Sequence, residues 1–118
     1  MQPERKAKRL RIYISSTDKF KHSPLYEVIV YAAKRYGITG ATVLKGIMGF
    51  GASSEVHSYK LWEISEKLPL VIEIIDESEK IDSFVESITP YFEKLGKGHL
   101  VTVDEITVLI HKTGGRKK

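Results

Sequence analysis

Apolar residues in Leu10-Arg11-Ile12-Tyr13-Ile14 fall on alternate positions, the period of a half-buried strand. The polar stretch from Ser16 to His22 reads as a loop. Ser23-Pro24 has the pattern of an N-cap followed by proline at the first helical position. Leu25, Val28, Ile29, Ala32 and Tyr36 then recur at helical spacing, and Gly37 predicts the stop. A second strand is predicted from about Ala41 to Met48. Pro69 opens a third, Leu70-Val71-Ile72-Glu73-Ile74-Ile75, apolar enough to be central. Asp76 and Glu79 resemble an N-cap with its reciprocal acid, ahead of a helical series at Ile81, Phe84, Val85, Ile88 and Phe92. Pro90 should kink or shorten that helix. Leu100–Val103 and Ile106–Ile110 are both β-prone, with a bulge or turn expected between them at Asp104-Glu105.

The resulting order is β-α-β-β-α-β. That order predicts an α+β, ferredoxin-like domain, an antiparallel sheet with two helices on one face. One domain spans 1–118, with an ordered core from about 9 to 112 and basic tails. The second sheet face must be wetted, covered by ligand or buried in an oligomer. Alternate positions in Leu70–Ile75 and Val101–Ile110 are still apolar, so both faces are expected to be covered, which favours self-association.

Composition narrows the function classes. The chain has 118 residues, enough for one core, and no apolar run long enough to span a bilayer. No apolar signal region follows the basic N-terminus, so a cytoplasmic location is expected. Absence of cysteine excludes disulfides, thiolate metal sites and thiol catalysis. Asn is absent, Gln2 is the only Gln, and Lys and Glu are abundant, a pattern expected of a thermophile. The net charge of +4 is uneven. Arg5, Lys6, Lys8, Arg9 and Arg11 at one end, and Lys112, Arg116, Lys117 and Lys118 at the other, leave the body between them acidic. Tails of this kind more often solubilise than bind, so nucleic acid is the weaker reading.

The strongest candidate for chemistry is Gly46-Ile47-Met48-Gly49-Phe50-Gly51, a glycine-rich exit from the second strand. Such an exit bends sharply and can present bare N–H groups to an anion, although glycines also simply end strands. The long polar segment behind it, to about Leu68, has the length of a functional loop. His22, His57, His99 and His111 have no metal-like spacing. Asp76-Glu77-Glu79 sits at a helix start, where acids are expected without any ligand. Ser53, Ser54 and Ser58 lack a nucleophile-elbow context. No constellation points to an enzyme. RNA-recognition modules share this element order, but their third strand carries stacking aromatics that Leu70–Ile75 lacks. An acylphosphatase-like enzyme would need an Asn.

Tyr36-Gly37-Ile38-Thr39-Gly40-Ala41-Thr42-Val43 followed by Gly49-Phe50-Gly51 resembles the first helix end and second strand of PII signalling proteins. Leu68-Pro69, Gly96-Lys97-Gly98-His99-Leu100-Val101 and Lys112-Thr113-Gly114 resemble their third strand, the tight loop before their fourth, and their strand-end Arg-Thr-Gly. The match runs from about Arg9 to Gly114. Gly46–Gly51 with Leu68-Pro69 is more similar still to a PII-like family catalogued as domain of unknown function 190.

The resemblance implies a homotrimer with nucleotide sites in the clefts between subunits. It also implies a loop, here about Gly51 to Leu68, that engages a partner protein, a membrane transporter or channel being candidates. The implied ligand-binding residues are Gly49, Phe50 and Gly51 at the loop base, Gly96 and Gly98 around phosphate, His99 beside them, and Lys112 in place of an arginine. Several family cations are replaced, by Ala52, Leu70, His99 and Ile110. Each lost charge-assisted contact removes roughly 1.5–3 kcal/mol. The implied ligand is therefore a nucleotide with few phosphates, AMP or another adenine or cyclic nucleotide. Tyr59 does not match the spacing of the loop tyrosine that some PII proteins modify. A ligand-free scaffold trimer and a basic-tailed nucleic-acid binder are the alternatives.

Overall fold

A computed structural model describes residues 6–50, 57–58, 67–95 and 98–114. Its main elements are β1 (Ala7–Ser15), α1 (Leu25–Tyr36), β2 (Ala41–Lys45), β3 (Pro69–Glu77), α2 (Ser78–Glu93) and β4 (Leu100–Ile106). The sheet order is β2-β3-β1-β4, and every neighbouring pair is antiparallel. The expected ferredoxin-like arrangement is the one observed.

Strand period explains the core. Leu10, Ile12 and Ile14 on β1 share a face with Leu70, Ile72 and Ile74 on β3. Leu25, Ile29 and Ala33 from α1, and Ile81, Phe84 and Ile88 from α2, pack on that same face in one cluster. Each fully buried Leu, Ile or Phe contributes about 1.5–3 kcal/mol relative to exposure. Gly37 stops α1 as predicted, at φ 92°, and the Ile38 amide closes onto the Ala33 carbonyl at 3.0 Å.

Six local expectations are corrected. Ser23 is not the cap of α1: Ser23–Pro24 pairs with Lys19–Phe20, and the Leu25 N–H donates to the Asp18 carbonyl at 2.8 Å. The polar loop after β1 is therefore a tight ribbon, fixed because the buried Asp18 carboxylate accepts the Ser15 N–H at 2.9 Å. The second strand ends at Lys45 rather than Met48, because the Gly46 N–H turns to the Pro69 carbonyl, at 2.8 Å. Met48–Gly49 forms a separate pair with His57–Ser58.

Asp76 does not cap α2. Glu77 holds that position without a side-chain cap bond, while Asp76 reaches the loop after α1. Asp104-Glu105 does not break β4, since both continue the pairing with β1 opposite Arg9 and Lys8. Thr107–Ile110, expected as strand, lies outside any strand, and Leu109 and Ile110 are 81% and 79% exposed. Pro90 lies inside α2, which ends three residues later, at Glu93.

The second sheet face carries charged as well as apolar residues in the single chain. It is open, and its centre is charged. Leu44, Val71, Tyr13 and Leu100 form one apolar row across it. The next rows carry Glu73 beside Arg11, then Arg9 beside Asp104. Arg9 and Arg11, together with Lys8, thus belong to β1 and not to a basic tail.

Candidate ligand site at one end of the sheet

The register places the end of β1, the end of β2, the start of β3 and the start of β4 at one end of the sheet. Lys45 lies opposite Leu70, Ile14 opposite Leu70, and Tyr13 opposite Leu100. Gly46–Phe50 leaves from the β2 edge of this end, and Gly98-His99 enters at the β4 edge. Three strand spacings, roughly 14 Å, separate the two. The glycine-rich exit and the histidine loop share an end but stand at opposite edges.

At the β2 edge the glycines have a packing reason. A Cβ at Gly46 would stand 2.8 Å from Pro69 Cγ, and one at Gly49 would stand 3.2 Å from the same atom. Pro69 is fixed in turn at the mouth of the sheet, where the Ser16 N–H donates to the Leu68 carbonyl and the Leu68 N–H to Ser16 Oγ. Ile47, Met48 and Phe50 point outward, Phe50 at 72% exposure. Gly51 and nearly all of the loop to Leu68 lie outside the described residues, and so does the side chain of His57.

At the β4 edge Gly96 lies outside the described residues and Gly98 is exposed. The His99 ring packs edge to face on Phe92, with centroids 5.1 Å apart. Its Nε2 is buried with no hydrogen-bond partner among the described residues. Lys112 is exposed, beyond the far end of β4. Among the described residues no hydrogen bond or ion pair joins Lys112 to the glycines or to His99. His111 Nδ1, on the preceding residue, is also buried without a partner among the described residues.

The open face holds charged residues not singled out from the sequence. Arg9 Nη2 meets Asp104 Oδ2 at 2.7 Å, and Arg11 Nε meets Glu73 Oε2 at 3.1 Å. The hydrogen bond to Asp104 raises the Arg9 guanidinium above its ordinary value, and the same bond holds the Asp104 carboxyl below its own. The period of β1 was the available signal, because it places residues 9, 11 and 13 on one face. Among the described residues no group of three His, Cys, Asp or Glu could hold a metal ion. No described helix is long and apolar enough to cross a membrane.

A family model, domain of unknown function 190 with the description "Uncharacterized ACR", matches residues 7–108. The chain belongs to this family. A family relative, the UPF0166 protein of Aquifex aeolicus, is 39% identical over 105 residues, 88% of this chain and 94% of its own length. A second, UPF0166 protein MJ1524 of Methanocaldococcus jannaschii, is 43% identical over 77 residues, 65% of this chain and 70% of that protein. Among solved structures, the fold is similar to CPII of Thiomonas intermedia K12 bound to ADP, AMP and acetate. That match has a TM-score of 0.61 at 20% identity, covering 88% of this chain and 89% of CPII. A PII-like chain of Thermus thermophilus matches with a TM-score of 0.61 at 18% identity, covering 86% and 88%. These likenesses establish that this member of the family has a PII-like fold.

Proposed function

We propose that the chain is a PII-like signalling protein, not an enzyme. It assembles as a closed homotrimer in the cytoplasm. It binds an adenine nucleotide of few phosphates, AMP foremost, in the clefts between subunits. It reports that ligand to a partner protein through the loop after β2.

One observation carries the reading: Gly49 and His99 stand at the same end of the sheet but at opposite edges. A site using both needs a second copy, whose β4 edge meets the β2 edge of the first. Closed cyclic symmetry is the usual way to repeat such a contact without leaving an open end. The apolar row of Leu44, Val71, Tyr13 and Leu100 supports burial of the open face in that assembly. The relation to CPII, described with ADP and AMP, supports the ligand class. Gly49, Phe50, Gly51, Gly96, Gly98, His99 and Lys112 remain the proposed contacts, Lys112 entering from a neighbouring copy.

Thermal-shift titration with AMP, ADP and ATP, run beside sedimentation equilibrium, tests this. A ligand that binds only the native state raises its apparent stability, by about 2.7 kcal/mol at a hundred times its Kd. The expected result is a trimer stabilised by adenine nucleotides. A monomer at micromolar concentration overturns the shared site, and a trimer unmoved by every nucleotide supports the scaffold alternative.

A further inference from the structure

His99 has a nearer neighbour than the β2 glycines. β1 and β4 are adjacent strands with Tyr13 opposite Leu100, so the chain leaving β1 and the chain entering β4 emerge side by side. What leaves β1 is the ribbon Lys19–Phe20 paired with Ser23–Pro24, and Lys21-His22 forms its tip. Lys19, Lys21 and His22 are exposed there. Lys21 holds φ 59°, a left-handed conformation that side-chain-bearing residues seldom adopt, and its Nζ sits 5.6 Å from the centre of the Phe20 ring. Strain of this kind persists only where the surroundings enforce it, and it is concentrated at ligand-binding sites.

The surroundings do enforce it. The Asp18 carboxylate accepts the Ser15 N–H and the Asp18 carbonyl accepts the Leu25 N–H, so the ribbon is tied at both ends. The last turn of α2 then holds both partners. Phe20 packs edge to face on Tyr91, with centroids 4.9 Å apart, and His99 packs on the next residue, Phe92. A ribbon carrying two exposed lysines, and a histidine whose Nε2 is buried with no partner among the described residues, are therefore both anchored on the last turn of α2, and a ligand atom can relieve the cost of that unsatisfied nitrogen.

We propose that Lys19, Lys21 and His99 form one anion-recognition surface that takes the phosphate of the bound mononucleotide. The inference rests on the adenine-nucleotide reading above and names the cations of that site. The lysines supply the charge, and His99 Nε2 supplies a directional contact to a phosphate oxygen.

Calorimetric titration of the full chain with adenosine, AMP and ADP tests it. The variants are Lys19→Gln, and Lys19→Gln combined with Lys21→Gly, glycine keeping the positive φ without strain. Lys34→Ala, in the last turn of α1, is the control. We expect the double variant to bind AMP at least about tenfold more weakly, through loss of the charge that the two lysines supply, and adenosine unchanged. The single variant should fall between, and the control should match the wild type. Wild-type AMP affinity in the double variant overturns this inference and leaves the nucleotide reading standing. A wild type that binds none of the three ligands overturns both.

Discussion

The Thr39 amide and hydroxyl both donate to one oxygen of the Asp76 carboxylate, at 2.9 and 3.0 Å. The other oxygen accepts the Glu77 N–H at 2.8 Å. A carboxylate only 2% exposed thus joins the chain after α1 to the junction of β3 and α2. Lys80 reinforces the junction by donating to the Gly37 carbonyl at 2.6 Å. Replacing Asp76 with Ala should destabilise the fold by about 3 kcal/mol, because it removes three hydrogen bonds to a buried carboxylate that tie these segments together. Thr39→Val, which removes only the hydroxyl, should cost about 1 kcal/mol. Denaturant unfolding of the two variants measures both, and equal costs would refute the shared role of the amide.

The same carboxylate gives a pH dependence of known sign. Burial pushes the Asp76 carboxyl up, but hydrogen bonds from Thr39 and Glu77, with the charge of Lys80, overcome it and hold the group below its ordinary value of 3.8. A folded-state pKa below the unfolded one means stability that is fully present above pH 3.8 and lost as pH falls through the lower folded value. Asp76→Asn should flatten that acid limb. Stability measured from pH 2 to 6 checks it, and identical slopes in wild type and variant would reassign the acid sensitivity.

Glycine substitutions should separate by their distance from Pro69. Gly46→Ala places a Cβ 2.8 Å from Pro69 Cγ and should cost about 1–3 kcal/mol. Gly49→Ala, at 3.2 Å, should cost less. Gly40→Ala meets nothing within 4 Å and should be neutral or stabilising by about 0.5 kcal/mol, through the unfolded chain. Thermal melts rank the three, and a Gly46 variant as stable as the wild type would free that glycine for a role other than packing.

On the open face, Asp104→Lys sets a second cation against Arg9. The pair is exposed in one chain, so the monomer fold should tolerate the change. If copies associate through this face, the repulsion is buried with it and association should weaken at least tenfold. Sedimentation with far-UV circular dichroism separates the two effects. Unchanged association would place the contact elsewhere.

The helices and central strands were legible because their periods are long and clean. Leu10, Ile12 and Ile14, Leu70, Ile72 and Ile74, and Ile81, Phe84 and Ile88 all face the core as their spacing requires. The element ends were not legible, because they depend on contacts distant in sequence. Asp76 caps nothing locally because Thr39 claims it, and β2 stops at Lys45 because Pro69 stands close to Gly46. Asp104 reads as a strand breaker until Arg9 is placed beside it. The proposed site residues Gly49 and His99 were findable as motifs, but their separation across the sheet follows only from strand order.

Strand order also leaves each copy with two margins unpaired among the described residues. β2 is exposed at all five residues, and β4 is exposed along nearly all of its seven. Unpaired backbone donors and acceptors template the addition of further chains. Two complementary margins on one molecule can therefore grow a filament as readily as a ring, and the angle of the joint decides which. A solitary protomer is then the hazardous species. Closure into the proposed ring would protect newly made chains from open-ended polymerisation.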